Sequence, residues 1–383
     1  MHILIAALHR PLQPTGVCRH AVNLAQCLAD TDQVTQITLV VGEWQRDYFE
    51  TSFRLSGEKI KLINIDIKNS SISRNIWFLF GLPKIAKYLH CDIVHLSFPL
   101  PFIRSLFHCP VVATIHDLYP YKCPENFGYP NVIFNQLFLK QCIDNVDGLS
   151  CVSNQTTADL KTYFTDIEKR KKITVIYNYV DFSHIKPRVP NGIKISFDHP
   201  FLLSVAQHRK NKNLDILINA YSLLIKNNQI KDSTKLILVG TCGPETENIC
   251  HQIWALSLQE RVIMLSSIDD DELCWLYQNC ELLVVPSSTE GFCLPLAEAL
   301  YLSSKVVCSD IPIFREIGSS YCTYFELDGD RLHNVSQAII HSIAQPHFEN
   351  KSPDERFSKL NTAQQYIKFY SRLISSEIDF SKK

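Results

Sequence analysis

The chain has 383 residues, 46% hydrophobic and 20% charged, which is the balance of a globular protein long enough for two domains with a core each. A formal net charge of −1 argues against nucleic acid as the main partner, and no stretch nears the roughly 18 apolar residues that crossing a bilayer requires. The opening residues MHILIAALHRP form a short strand followed by His9 and Arg10, neither a signal peptide nor an anchor, so a cytoplasmic location is expected.

In chain order, the first half alternates strands at 2–6, 36–41, 61–65, 92–96, 111–115, 148–152 and 172–177 with helical patterns at 17–28, 76–89, 132–143 and 154–163. A second series has strands at 201–205, 236–239, 262–265, 282–285 and 306–308, separated by helices at 214–225, 246–256, 271–278 and 296–302. Alternation of this kind makes βαβ units and parallel sheets covered on both faces, so the fold class is α/β with two doubly wound domains. The join is expected within 181–200, which holds three prolines and no clear period. The domains are therefore 1–185 and 186–360, with an amphipathic last helix at 361–376.

The two halves differ in charge. Residues 1–190 hold 20 Lys and Arg against 16 Asp and Glu, a balance of +4, and residues 191–383 hold 18 against 23, a balance of −5. Arg54, Lys59, Lys61, Lys68, Arg74, Lys84 and Lys87 lie near Ile76–Phe80. A solvated face beside a core helix is the favoured reading, and contact with an anionic membrane surface is the alternative. The 14 cysteines include no C-x-x-C, the nearest pair being Cys274 and Cys280, and they read as small buried hydrophobes in a reducing compartment.

The stretch ELLVVPSSTEGFCLPLAEALYLSSKVVCSD, residues 281–310, is a strand, a loop, a helix opening near Pro295 and a second strand. Ligands of such units bind beyond the carboxyl ends of the strands, where the helix N-terminus offers unpaired N–H groups. Glu290 and Glu298 bracket the loop with seven residues between them, and Gly291 lets backbone approach an anion or a sugar. By themselves the two carboxylates fit equally well as a solvated loop residue and a helix-dipole partner.

EGFCLPLAEAL followed by KVVCSDIPIFREIG resembles the E-x7-E signature of retaining glycosyltransferases with the two-domain GT-B fold, which include bacterial lipopolysaccharide, capsule and exopolysaccharide enzymes. The resemblance implies two Rossmann-like domains facing a central cleft, the first on the acceptor side, the second binding a nucleotide sugar, and the last helix crossing back to the first. It implies that Glu298 grips the ribose hydroxyls of the donor. Glu290, with Gly291, Phe292, Cys293 and Leu294, would then place the donor sugar.

Four further stretches match the family's ligand-contacting positions. Pro14-Thr15-Gly16-Val17 resembles a glycine loop facing donor phosphates, with one glycine where many members have two. His116-Asp117, ending a strand, matches a histidine beside the anomeric carbon, where a neutral imidazole can bond a sugar hydroxyl and Asp117 can orient it or accept a hydroxyl itself. Lys212 matches a diphosphate-binding Lys, whereas Gln207 and Ala206 occupy the usual Arg and Gly positions and leave Arg209 to supply the missing charge. Gly240 matches a phosphate contact and Ile268 a contact to the base. Asp269-Asp270-Asp271 reads as helix capping, so no metal site and no cofactor are expected.

The implied reaction moves a sugar from a UDP-, GDP- or ADP-linked donor to a hydroxyl of a saccharide or lipid-linked saccharide, with retention. Peripheral contact with the inner face of a membrane accompanies that reading. Two rivals stand beside it: a non-catalytic nucleotide-sugar-binding partner subunit, and a nucleotide-sugar epimerase on the same scaffold.

Overall fold

A computed structural model describes residues 1–383 apart from 13–14, 54, 56, 192–199, 347–353 and 382–383, together with the side chains of Asn126 and 377–381. Pro14, Arg54 and much of the expected linker thus lie outside the described residues. The chain divides into two compact units, Met1–Tyr179 with Glu355–Lys383, and Val180–Asp354. Both divisions come earlier than the positions 185 and 360 read from the sequence. Local packing gives the reason: Phe182 sets its ring against Tyr277 and Tyr301 of the second unit, and Phe357 sets its ring edge-on to Tyr177 of the first.

The first unit is built on seven parallel strands, β1 (His2–Ala6), β2 (Gln36–Gly42), β3 (Ile60–Ile65), β4 (Ile93–Leu96), β5 (Val111–Ile115), β6 (Gly148–Cys151) and β7 (Lys172–Val175). Their order is β3-β2-β1-β4-β5-β6-β7, so the direction of winding reverses between β1 and β4. Side chains alternate across the sheet, as the pleat demands. Leu4 and Ala6 face a core shared with Phe78, Leu82 and Ile143, whereas Ile3 and Ile5 face one shared with Ala21, Leu28 and the last helix. That helix, Lys359–Ser381, buries Ala363, Tyr366, Phe369, Tyr370 and Leu373 in the second of these cores. Gly148 makes room for it, since a Cβ there would stand 2.7 Å from the Phe369 ring.

One helix departs from its expected form. The pattern at 76–89 begins earlier, at Ser71, where the Ser70 hydroxyl caps the Ser73 amide, and it passes through a wide turn at Trp77–Gly81 before continuing as Leu82–Tyr88. The cause is Pro83, which has no N–H and crowds the carbonyl four residues back; in the wider turn the Leu82 amide reaches the carbonyl of Trp77 instead.

The second unit has six parallel strands, β8 (Phe201–Val205), β9 (Lys235–Val239), β10 (Val262–Leu265), β11 (Leu282–Val285), β12 (Val306–Ser309) and β13 (Thr323–Phe325), ordered β10-β9-β8-β11-β12-β13. The reversal lies between β8 and β11. β13 and the helices Pro312–Gly318 and Arg331–Ala344 complete the unit, none of them among the elements read from the sequence. β13 has three residues, of which only Phe325 is buried, so neither length nor alternation marks it.

Candidate active site

In a doubly wound sheet, the loops leaving the two strands at the reversal point diverge and open a crevice beyond the carboxyl ends. In the second unit these are the loops after β8 and β11. Two asparagine side chains and a backbone bond stitch them together: Asn213 Nδ2 donates to the Pro286 carbonyl at 2.8 Å, Asn211 Nδ2 to that of Thr289 at 3.2 Å, and the Ser288 backbone N–H to that of Asn211 at 2.9 Å. Across the seam Lys212 Nζ pairs with Glu290 Oε1 at 2.5 Å, with side chains only 15% and 9% exposed. Low local dielectric strengthens such a pair and fixes both ends.

Asn213, which suits a helix cap by sequence, plays another part. It stands at the start of helix Leu214–Lys226 in the left-handed conformation, φ 49°, and its side chain makes no cap bond, because the amide is spent on the neighbouring loop.

Beyond Glu290 the loop holds Gly291, part-exposed, then Phe292 and Cys293, both buried. Cys293 opens helix Leu294–Tyr301 at φ 72°, a conformation a Cβ makes costly, and burial pushes its thiol well up, so it is neutral there. Glu298 lies one turn into this helix and accepts a hydrogen bond of 2.8 Å from the Tyr277 hydroxyl. Tyr277 comes from helix Asp270–Asn279 and is fully buried; burial and the adjacent carboxylate push its hydroxyl well up, so it remains a donor. Sequence reasoning missed Tyr277, which is indistinguishable by pattern from a core aromatic.

The loop after β9 packs backbone to backbone on the loop after β8. A Cβ on Gly240 would stand 1.8 Å from the Ala206 carbonyl oxygen, and one on Gly243 2.3 Å from that of His208. Gly240 is thus required by its neighbour loop before any ligand is considered. Thr246 Oγ1 accepts from the Gly243 amide at 2.8 Å and meets His208 Nδ1 at 3.0 Å. Arg209 is half-buried, and its guanidinium has no hydrogen bond or ion pair among the described residues. Ile268 is part-exposed just before Asp269, whose carboxylate accepts from the Glu272 amide while Glu272 reaches back to the Asp269 amide, the capping arrangement expected there. Asp269 and Glu272 also hold Arg188.

The remaining expected positions, Gly16, His116 and Asp117, belong to the first unit. Gly16 starts helix Gly16–Ala29 under a cap from Thr15, and space within 4 Å of its missing Cβ is open. His116 ends β5. Its Nε2 lies 2.7 Å from the Ser97 carbonyl oxygen, which can only accept, so Nε2 carries the proton and Nδ1 of the neutral ring is an acceptor. Burial lowers this imidazole to about 4. Asp117 Oδ1 accepts from the Tyr119 amide at 3.0 Å, so the carboxylate shapes the turn, and Ser97 is the group seen to orient His116.

Two more histidines, neither expected from the sequence as a site residue, pack near it. His20 stacks edge-on to His116 with ring centroids 4.7 Å apart, and His95 lies fully buried on β4. Desolvation, reinforced by the neighbouring imidazoles, lowers both, His95 to about 3. The three rings are therefore neutral at pH 7.

Two doubly wound parallel sheets of this kind are the frame of the GT-B fold. Family models match along most of the chain: Glycosyltransferase Family 4 over residues 14–184 and Glycosyl transferases group 1 over residues 187–351. The chain belongs to the group 1 glycosyltransferases of the GT-B fold. It is 26% identical over 330 residues to the O-antigen chain mannosyltransferase RfbU of Salmonella typhimurium, covering 83% of this chain and 84% of that one. Among solved structures it resembles WaaG, a glycosyltransferase involved in lipopolysaccharide biosynthesis, with a TM-score of 0.68 at 16% identity over 99% of both chains. It also resembles Anabaena HepE in complex with UDP and glucose, with a TM-score of 0.65 at 16% identity over 100% of this chain and 99% of that one.

Proposed function

We propose that this glycosyltransferase moves a hexose from a nucleoside diphosphate donor to an acceptor hydroxyl with retention at the anomeric carbon and without a metal, in bacterial cell-envelope polysaccharide or glycolipid synthesis. The observation that carries the reading is the seam at the β8–β11 reversal point, where Lys212 and Glu290 meet and Glu298 lies one turn into the adjoining helix. Departure of the nucleoside diphosphate builds negative charge, and Lys212 with Arg209 is the cation set for it. Glu298, steered by Tyr277, takes the ribose hydroxyls; Glu290 and the backbone of Gly291 and Phe292 take the sugar. Gly16 offers an open backbone to the donor, Gly240 keeps the phosphate loop in place, and Ile268 faces the base. His116 accepts a sugar hydroxyl through Nδ1, a role that only its neutral form can fill.

The acceptor is a saccharide or a lipid-linked saccharide, and RfbU, a mannosyltransferase, makes mannose the first sugar to try. The exposed line Ile72, Ile76 and Phe80, with the exposed Lys68, Lys84 and Lys87 close by in sequence, supports peripheral contact with an anionic membrane.

The test is a thermal-shift and mass-spectrometric screen against UDP-, GDP- and ADP-linked hexoses, with and without EDTA, repeated for Glu298→Ala. One donor class should stabilise the wild type, keep doing so in EDTA and fail with the variant. No stabilisation by any donor, or equal stabilisation of Glu298→Ala, would refute the assignment. Binding without transfer to any acceptor would favour the partner-subunit reading, and conversion of donor alone an epimerase.

A further inference from the structure

The core of the first unit contains a hydrogen-bonded chain that starts on the last helix and ends beside His116. Tyr370 Oη lies 2.7 Å from His95 Nδ1; His95 Nε2 lies 2.8 Å from Thr114 Oγ1; Thr114 Oγ1 lies 3.2 Å from His20 Nε2; and His20 Nδ1 lies 2.8 Å from Asn178 Oδ1. Ser150 Oγ joins Thr114 Oγ1 at 2.8 Å. Tyr370, His95, Thr114, His20, Asn178 and Ser150 are all more than nine-tenths buried.

Proton counting gives this chain one direction. Asn178 Oδ1 can only accept, so His20 Nδ1 carries the proton and His20 Nε2 must accept from the Thr114 hydroxyl. Thr114, its proton spent, accepts from His95 Nε2–H, which leaves His95 Nδ1 to accept from the Tyr370 hydroxyl. With the Ser150 hydroxyl donating to Thr114, every donor has an acceptor, and full reversal of the chain would set two acceptors against each other at Asn178. A buried network of this kind is rigid because breaking any link strands a polar group without water. Its far end, the His20 ring, stands edge-on to His116 at an interplanar angle of 86°. His116 makes its own bond to Ser97 through Nε2, and a fixed His20 leaves its ring little room to turn away.

We infer that His20 is a positioning residue for His116, locked by a directed hydrogen-bond chain that runs from Tyr370 on the last helix through His95 and Thr114. The inference rests on the proposed role of His116 for its consequence in catalysis, but not for its geometry. Thr114 is the node, and its position on β5, two residues before His116, ties the chain to the strand that leads into His116.

The experiment uses the full chain with 15N-labelled histidine. Long-range 1H–15N correlations, assigned with His116→Ala, report which nitrogen of His116 carries the proton. Wild type should show the Nε2–H tautomer alone. Thr114→Val keeps the shape of the side chain and deletes the hydroxyl; it should yield a mixture of tautomers and lower kcat about tenfold, with the donor KM changed by less than about twofold. Thr114→Ser should restore both readouts. If Thr114→Val does not fold, Tyr370→Phe, which removes only the first donor, should shift the tautomer in the same direction. A His116 tautomer unchanged in both variants overturns the inference whatever happens to activity. A shifted tautomer together with an active His116→Ala would uphold the chain and refute the proposed role of His116 instead.

Discussion

Two glycines that look alike in a motif do different work. Gly240 has a neighbouring backbone oxygen 1.8 Å from where a Cβ would go, and Gly16 has nothing within 4 Å. Gly240→Ala must push the 206–209 loop aside, and a clash with backbone cannot be relieved by a rotamer change. It should cost about 1–3 kcal/mol in denaturant unfolding and weaken donor binding at the same time. Gly16→Ala should leave stability level or raise it by up to about 1 kcal/mol, because alanine is the better helix former. A neutral Gly240→Ala would show that the loop yields, and a strongly destabilising Gly16→Ala would show a contact that the structure does not contain. A loss of activity in a stable Gly16→Ala would mark a ligand contact.

At the scale of elements, the helical stretch from Ser71 to Tyr88 is the most informative. By sequence it is either a solvated face beside a core helix, the favoured reading, or a membrane-facing one. The outward line is Ile72, Ile76 and Phe80, 73%, 54% and 50% exposed, bounded by Lys68, Lys84 and Lys87, and residues 67–91 hold no Asp or Glu. Exposed apolar groups with lysines close by in sequence are what the membrane-facing alternative needs, and we propose that alternative as the one to test. Ile76→Ser with Phe80→Ser removes exposed apolar area and leaves the buried Phe78 and Leu82 in place. Affinity for vesicles containing anionic lipid, measured by co-sedimentation, should fall by at least about tenfold, the result of losing about 1–2 kcal/mol per side chain. Wild-type protein that ignores such vesicles, or a double variant that binds as well, would leave the solvated reading standing.

Over the whole molecule, the three neutral histidines of the first unit leave a signature in the dependence of stability on pH. His20, His95 and His116 are all held below the free imidazole value of 6.5, His95 at about 3 and His116 at about 4, chiefly by burial. The unfolded chain therefore takes up protons first as pH falls. Their contribution is complete above about pH 6.5 and is lost as pH drops from there towards 4, with a slope of about 1.4 kcal/mol per pH unit for each histidine. Denaturant unfolding at a series of pH values across that window should show the free energy falling steeply. A flat profile would mean that the rings are hydrated or already charged.

Much of the fold was legible in the sequence because parallel strands buried on both faces are short runs of β-branched and aliphatic residues, punctuated by loops and helical periods. β1, β5, β8, β10 and β11 fall where those runs lie, and the helix at 154–163 likewise. Glu290, Glu298, Lys212 and His116 were legible because each sits at a strand end or a helix start, positions that local order alone can mark. The rest depends on neighbours remote in sequence. Tyr277 meets Glu298 from another helix, Asn213 trades a cap for the Pro286 carbonyl, and Thr114 joins a histidine on β4 to one on the first helix. No periodicity encodes such pairs. Sequence by itself determined that strands and helices alternate, and which residues stand at the carboxyl edge. Only tertiary structure decided which of those residues meet, because a hydrogen bond or an ion pair forms where two distant segments are packed to within about 3 Å, and burial then makes each partner costly to remove.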